Sequence, residues 1–397
     1  MSELVDIVLK RGKEESLLRY HPWVFSGAIS HAEGEGEINE GDVVNVLTSE
    51  GVFIARGHFQ PGSIAVRVLT FRDEAIDSDW WKNRIGEAYR LRSEIGLTDN
   101  PQTDCYRLVH GEGDFLPGLI IDIYGRTAVI QAHSVGMYLS MKDIAEAVKH
   151  IYGDRISSVY DKSSGTLPFN SGMRDTDGYI VGGRDDEPVL ENGNKFLVSW
   201  EHGQKTGFFI DQRDNRSLVE HYASGKRVLN TFCYTGGFSV YALRGGAVSV
   251  DSVDSSSRAV ELADKNVKLN FGDNAPHKAI ACDAFKYIKD IKEKYDMIIL
   301  DPPAFAKHHK VTGNALQGYK RLNASALSQI APGGILFTFS CSQAVSREQF
   351  RAAVFSAAAI SGRKVRILHQ LTQPADHPVN IYHPEGEYLK GLVLHVE

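Results

Sequence analysis

Val228-Leu229-Asn230-Thr231-Phe232-Cys233-Tyr234-Thr235-Gly236-Gly237-Phe238-Ser239 reads as a buried apolar strand that runs into a glycine turn and then a helix. Such a strand, turn and helix N-terminus expose free backbone N–H groups at the C-terminal edge of a parallel sheet, where an extended ligand can lie across the chain reversal. Seventeen residues after Gly237 comes Asp254, near the end of the next strand pattern, Ala247 to Val253. In a doubly wound sheet an acid at that distance reaches the hydroxyls of a ribose. Nothing here reads G-x-G-x-x-G, so no pyrophosphate needs a close backbone approach, and the pattern favours a nucleoside without one. Taken alone, a turn of this kind is as often tight packing as a ligand site. The later strand ends decide between the two.

From Val228 onward strand and helix alternate. Strands are expected over 228–232, 247–253, 278–281, 295–300, 334–340 and 364–371, helices over 237–244, 256–270, 283–291, 313–330 and 346–361, with Tyr388 to Val396 as a last strand. This alternation implies a parallel sheet covered on both faces, a doubly wound α/β fold. Just upstream, Asn192-Gly193 between Val189-Leu190 and Phe196-Leu197-Val198 marks a hairpin. The stretch Glu201 to Arg216 mixes glycine, charge and paired aromatics and leads into a helix capped near Asp211. It reads either as a capped helix start or as a lid whose Lys205 or Arg213 pairs with a ligand carboxylate.

Three domains are expected: residues 1–72, 73–185 and 186–397. The first is β-rich with a pseudo-barrel plan, since Ile7 to Leu9, Asp42 to Leu47, Val52 to His58 and Ile64 to Leu69 are short strands separated by glycine and proline turns. Glu14 to Tyr20 with the following His21-Pro22-Trp23-Val24-Phe25 reads as one short helix or turn closed by proline, Trp23 and Phe25 being weighted towards core packing. The second is an α+β module without a catalytic constellation. It has a helix from near Asp79 to Gly96, strands at Tyr106–His110, Gly118–Ile123, Thr127–Ala132 and Ile156–Tyr160, a helix at Met141–Ile151, and a linker from Ser171 to Asp186.

The chain has 397 residues, 42% apolar and 24% charged, and a net charge of −6. That is the profile of a soluble multi-domain protein, and it argues against a generally basic nucleic-acid binder. Only residues 186–397 carry more basic than acidic side chains, 25 against 22, so a polyanionic partner must be held by local patches. With no long apolar run and no basic-then-apolar N-terminus, the chain is expected to be cytoplasmic and to contact no membrane. Cys105, Cys233, Cys282 and Cys341 are scattered without a C-x-x-C pair, so free thiols are expected, with neither disulfides nor a metal site.

Three further features fall at strand ends on the same edge. Asp283 follows Lys278 to Cys282 and would sit beside the amino group of an adenine. Asp301-Pro302-Pro303-Ala304-Phe305 follows the apolar Met297 to Leu300, and two prolines cannot continue a ladder, so the aspartate is held at the strand tip. Cys341 leaves the strand Gly334 to Phe339 between Ser340 and Ser342, where a thiol is more accessible than one in a core.

Together with Gln204-Lys205-Thr206-Gly207-Phe208-Phe209-x-Asp211-Gln212-Arg213 upstream, the motifs Asn230-Thr231-Phe232-x-Tyr234-Thr235-Gly236-Gly237, Asp254, Asp301-Pro302-Pro303-x-Phe305 and Phe339-Ser340-Cys341-Ser342 resemble the S-adenosylmethionine-dependent RNA methyltransferases of the RlmI type. The resemblance covers nearly the whole chain. It implies an N-terminal PUA domain, a central α+β domain and a C-terminal Rossmann-like class I methyltransferase domain. It also implies 5-methylcytosine formation in 23S ribosomal RNA or a large-subunit precursor, with Cys341 as covalent nucleophile and Asp301 as its catalytic partner. Asn230, Phe232, Thr235, Gly236, Asp254, Asp283 and Asp301 are expected to line the S-adenosylmethionine site, with Arg213 beside it. Where two-cysteine RNA cytosine methyltransferases carry a second cysteine after the prolines, this chain has Ala304-Phe305, and the acceptor of the C5 proton is left open between His308, His309 and water. A homodimer is left open too. Two other readings stand beside this one: methylation of an exocyclic amine with Cys341 as bystander, and an RNA-binding assembly factor without chemistry.

Overall fold

In the computed structural model, residues 4–34, 37–168, 176–184, 186–306 and 311–397 are described. They divide into two compact units. The first comprises Met1–Val189, Val198–Phe208 and Ala375–Gly386, the second Leu190–Leu197, Phe209–Pro374 and Glu387–Glu397.

The first unit contains two sheets among its described residues. One is built from β1 (Asp6–Leu9), β2 (Trp23–Phe25), β3 (Ile29–Glu33), β4 (Val43–Leu47), β5 (Phe53–Phe59) and β6 (Ile64–Thr70) in the order β2-β6-β5-β4-β1-β3, with the one-turn helix α1 (Glu15–Leu18) between β1 and β2. The other is built from β7 (Cys105–His110), β8 (Leu119–Tyr124), β9 (Thr127–Ala132), β10 (Ser158–Asp161) and β11 (Gly178–Val181) in the order β11-β10-β9-β8-β7. Helices α2 (Ser78–Glu94), α3 (Val135–Leu139) and α4 (Met141–Tyr152) accompany this second sheet. Trp81 and Ile85 of α2 and Ile144 and Val148 of α4 share one core with Leu108, Ile121 and Ile130. The Asp77 side chain caps α2 by accepting from the N–H groups of Asp79 and Trp80.

Three sequence expectations need correction here. Trp23–Phe25 is a strand, and Phe25 is 47% exposed, so it is not a core residue; Trp23 is half-buried and donates its indole N–H to Glu112 at 2.9 Å. Strand β3 was not anticipated, because only Ile29 of Ile29-Ser30-His31-Ala32-Glu33 is even partly buried and no alternation marks it. The segment expected to be a linker contains β11, an edge strand antiparallel to β10 with Val159 opposite Val181; the rest of that stretch lies partly outside the described residues.

His58 of β5 shows how tightly the first unit is packed. It is 2% exposed, stacks on Trp81 at 6.4 Å, and meets Gly136, where a Cβ would come within 2.2 Å of the ring. Burial, with the Arg67 charge second, pushes the imidazole down to about 4 from 6.5. Between these values the unfolded chain binds the extra proton. The contribution is therefore complete above about pH 6.5 and lost as pH falls through about 4, and two to three units correspond to about 3 kcal/mol. Thermal melting of His58→Phe should vary less between pH 6.5 and 4.5 than that of the wild type; an identical pH dependence would contradict this.

The second unit opens on a hairpin of β12 (Val189–Glu191), whose first residue belongs to the other unit, and β13 (Asn194–Phe196). Asn192 and Gly193 both have positive φ, 50° and 77°, as a two-residue turn of the I′ type requires. After α5 (Arg213–Tyr222) come β14 (Arg227–Thr231), α6 (Gly237–Arg244), β15 (Ser249–Asp254), α7 (Ser257–Phe271), β16 (His277–Ala281) and α8 (Ala284–Tyr287). Then follow β17 (Met297–Leu300), α9 (Thr312–Gln329), β18 (Gly334–Ser340), α10 (Arg347–Ser361), β19 (Val365–Leu371) and β20 (Lys390–Val396). The sheet order is β16-β15-β14-β17-β18-β20-β19, with β14 to β18 mutually parallel and β20 antiparallel to both neighbours. Alternate residues feed opposite faces. Leu229, Ile298, Leu300 and Leu336 pack with α9 and α10, whereas Val228, Met297, Ile299 and Phe337 pack with α5 and α6.

The expected doubly wound sheet is thus present, with two local corrections. The helix expected over 283–291 is a short α8 followed by a 3-10 turn, Ile288–Asp290. Asp211 does not cap α5. A 3-10 turn, Ile210–Gln212, precedes that helix, and the Asp211 carboxylate accepts the Tyr388 hydroxyl at 2.7 Å.

Candidate active site

Because β14 to β18 are parallel, their C-terminal ends lie on one edge, and the register pairs Thr231 with Val253 and Leu300, Asp254 with Ala281, and Leu300 with Thr338. The segments beginning at Phe232, Asp254, Cys282, Asp301 and Cys341 therefore leave the sheet on the same side. The strand order reverses at β14, which makes this edge the switch point where open α/β sheets bind ligands.

The turn after β14 is strained. Phe232 and Tyr234 have φ of 54° and 45°, a region that non-glycine residues occupy at a cost, and Gly236 has φ 79°. At Gly236 a Cβ would come within 2.9 Å of Ala263, and at Gly237 within 3.1 Å of Arg216. The turn is held from both sides. The Cys233 N–H donates to the Val253 carbonyl at 3.1 Å, the Tyr234 N–H donates to Asp254 Oδ2 at 3.0 Å, and the Ser256 N–H donates to Asp254 Oδ1 at 2.9 Å. Asp254 is half-buried, its carboxylate oriented by the turn that it helps to fix.

The other expected residues fall in distinct surroundings. Asn230 is fully buried; its amide donates to Ser239 at 2.8 Å, and Ser239 is linked to Ser252 at 2.6 Å and Ser252 to His277 at 2.7 Å, a polar line running under the turn. Thr235 is buried, and its carbonyl accepts from Asn266 at 2.9 Å. Asp283 is exposed and caps α8 by accepting the Lys286 N–H at 2.9 Å. Phe232 meets Phe285 edge-on at 6.1 Å; Phe285 meets Phe305 at 6.0 Å, and Phe305 meets Tyr319 at 4.6 Å. Gly318 leaves room for the Phe305 ring, since a Cβ there would be 2.9 Å from it.

Asp301 is half-buried at the tip of β17 and accepts from Gln212 Nε2 at 3.0 Å, while Gln212 Oε1 accepts from Asn215 at 2.6 Å. Cys341 is half-buried beyond β18 and flanked by two tethered serines. Ser340 donates to the Tyr319 hydroxyl at 2.9 Å, and Ser342 donates to the Ala306 carbonyl at 2.7 Å. Cys233 is 5% exposed, and burial pushes its thiol far above the usual range, whereas Cys282 is half-buried with Sγ 3.6 Å from the Asp283 carbonyl. His308 and His309 lie outside the described residues.

Arg213 is 4% exposed with Nε 3.8 Å from Glu191, and Arg216 grips the same carboxylate at 2.8 and 2.6 Å. The Tyr241 hydroxyl donates to Glu191 at 2.9 Å. Lys205 is exposed and belongs to the first unit. Glu191 thus neutralises two buried guanidinium groups, one of them packed against Gly237, yet in the sequence it is one more acid beside a hairpin turn. Glu191→Gln should lower unfolding stability by about 3 kcal/mol, because a carboxylate facing two buried guanidinium groups is lost from a dry site. Denaturant titration showing wild-type stability would contradict this. Gln212, in the motif upstream of α5, orients the Asp301 carboxylate by donating to it.

Turn, switch point and acid-tipped strands define a class, the class I methyltransferases. The chain matches the family described as S-adenosylmethionine-dependent methyltransferase over residues 180–380 and a PUA-like domain over residues 7–71. It is 41% identical over 396 residues to ribosomal RNA large subunit methyltransferase I of Aeromonas hydrophila, with 98% of each chain covered. It is 40% identical over 399 residues to the protein of the same name from Escherichia coli K12, with 99% of each covered. Two solved structures share the fold: a SAM-dependent methyltransferase of Streptococcus mutans (TM-score 0.82, 23% identity, 99% and 100% covered) and a methyltransferase complexed with SAH (TM-score 0.83, 24% identity, 99% and 100% covered). The chain belongs to the ribosomal RNA large subunit methyltransferase I family, and its cofactor is S-adenosylmethionine.

The site fits that cofactor. A half-exposed carboxylate at the end of β15 suits a vicinal diol, an exposed one beyond β16 suits an exocyclic amine, and the rings of Phe232 and Phe285 supply flat apolar surface. Among the described residues no helix is long and apolar enough to cross a membrane.

Proposed function

We propose that the chain forms 5-methylcytosine in large-subunit ribosomal RNA through a covalent adduct between Cys341 and C6 of the target base. The observation that carries this reading is the pairing of β17 with β18, whose successive ends carry Asp301 and Cys341 on the ligand edge. A carboxylate and a half-buried thiol at the ends of adjacent parallel strands suit a pyrimidine that must be attacked at carbon. The curated relatives' name supplies the RNA class, and the PUA-like residues 1–72 are the part proposed to engage it.

In this reading Asp254 accepts the ribose hydroxyls of the cofactor, Asp283 faces its adenine amine, and the turn from Phe232 to Gly236 lies along it, with Asn230 bracing the turn from beneath. When bound, S-adenosylmethionine supplies an electrophilic methyl group. The Cys341 thiolate adds to C6, and the electron pair of the C5–C6 bond moves towards C5. Asp301, aligned by Gln212, holds the N3 and N4 edge and stabilises the charge that the ring gains. After C5 has gained the methyl group, it loses its proton to a base, the C5–C6 double bond reforms and the C6–S bond breaks, which returns the thiolate.

The test is transfer of labelled methyl groups to protein-free ribosomal RNA, followed by nucleoside analysis. Label in 5-methylcytidine is expected. Label confined to an N-methylated nucleoside would replace this reading with amine methylation, and no transfer to any RNA would favour a binding protein without chemistry.

A further inference from the structure

The strand β20 was expected only as the closing strand of the sheet, yet it carries a buried cation at the proposed nucleophile. Its antiparallel register with β18 sets Lys390 opposite Ser340, the residue before Cys341. Lys390 is 4% exposed, and its Nζ donates to the carbonyls of Ser342 at 2.6 Å and Val345 at 2.7 Å. Those carbonyls belong to the loop that joins Cys341 to the Ser346 cap of α10. An ammonium has three N–H groups, so one remains to be given. Resting on the reading of Cys341 as nucleophile, we infer that Lys390 is its positioning residue, clamping the 341–346 loop and holding the thiol as a thiolate through the positive charge beside it.

The charges around the pair support this. No carboxylate among the described residues forms an ion pair with Lys390. The acid whose field reaches it, Glu387, is taken by Arg347, and Arg347 itself opposes a positive charge at Lys390. Burial pushes the Lys390 amine down to about 8, and the Cys341 thiolate is the largest influence acting the other way. Tyr319, which also feels Cys341, is pushed up to about 12, chiefly by burial, so it stays neutral and cannot serve as the counter-ion; Asp301 is the remaining acid near that phenol, and it accepts from Gln212. A buried ammonium without a carboxylate is unstable unless another anion faces it. Starting from the neutral amine, the thiol completes the pair by giving its proton to Lys390 Nζ: the S–H bond breaks, an N–H bond forms to give the ammonium, and the net charge of the site does not change.

The test is site-resolved alkylation of Cys341 by iodoacetamide in the full-length protein, followed by peptide mass spectrometry between about pH 6 and 10. The wild type should give a midpoint below the ordinary thiol value of about 8.5. Lys390→Met should raise that midpoint by about one unit or more and slow alkylation at neutral pH about fivefold or more. Lys390→Arg, which keeps the charge, should stay close to the wild type. A wild-type midpoint at or above about 8.5 would overturn the inference, even if the methionine variant does not fold, and so would a folded Lys390→Met with an unchanged profile. The outcome is separable from the nucleophile reading. A normal profile for Lys390→Met together with an intact covalent adduct in the wild type would remove Lys390 alone, whereas a shifted profile with no adduct would remove the nucleophile alone.

Discussion

Cys341→Ala should bind S-adenosylmethionine like the wild type and fail to methylate ribosomal RNA, with an expected loss of at least three orders of magnitude, about 4 kcal/mol or more in the barrier. The size follows from the chemistry. C5 of cytosine is too poor in electrons to attack a methyl sulfonium, and no other thiol is suited to replace the missing one: Cys233 is buried in the turn after β14, Cys105 is fully buried in the first unit, and Cys282 lies beyond β16 at the far end of the parallel order. Retained binding is expected because Cys341 follows β18, two strands along the sheet from β14 and the turn at Phe232–Gly236. Single-turnover methyl transfer measured beside calorimetry separates the two. An alanine variant with normal turnover would exclude the covalent route and leave amine methylation in its place.

Asp254→Ala should weaken S-adenosylmethionine binding at least a hundredfold. A carboxylate has about four acceptor positions, and the Tyr234 and Ser256 N–H groups use two, which leaves two for the ribose hydroxyls. Hydrogen bonds to a charged acceptor contribute about 1.5–3 kcal/mol each, so losing both costs about 3–6 kcal/mol before any relaxation of the turn. Asp254→Asn tests the orientation argument separately. Its carbonyl oxygen can still accept from one N–H, so it should keep more affinity than alanine. Calorimetry showing unchanged affinity for the alanine variant would remove Asp254 from the site.

Much of the fold was legible because long periodic elements carry their own signal. Gly334–Ser340 is an apolar run broken only by Thr338 and bounded by glycine and serine, Thr312–Gln329 has helical spacing, and Asn192-Gly193 can adopt the positive φ values of its turn. The candidate site was legible where residues stand at strand ends, since topology alone brings Asp254, Asp301 and Cys341 to one edge. What escaped the sequence was pairing across long separations. Glu191 meets Arg216 and Tyr241, Gln212 meets Asp301, and Lys390 meets the loop after Cys341, each through side chains that no periodicity links. Strands without alternation escaped for a different reason. Ile29–Glu33 is nearly all exposed, so burial left no trace in its composition.

Ribosomal RNA carrying 5-fluorocytosine shows whether Cys341 becomes bonded to the target base. Fluorine cannot leave C5 as a proton does, so the cycle stops with the C6–S bond intact. Incubation with S-adenosylmethionine should yield a denaturation-resistant complex one methyl group heavier than the sum of RNA and protein, with the cross-linked peptide containing Cys341. Methylation of unmodified RNA by the same preparation, with no adduct on the fluorinated substrate or with the adduct on Cys233 or Cys282, would contradict the account.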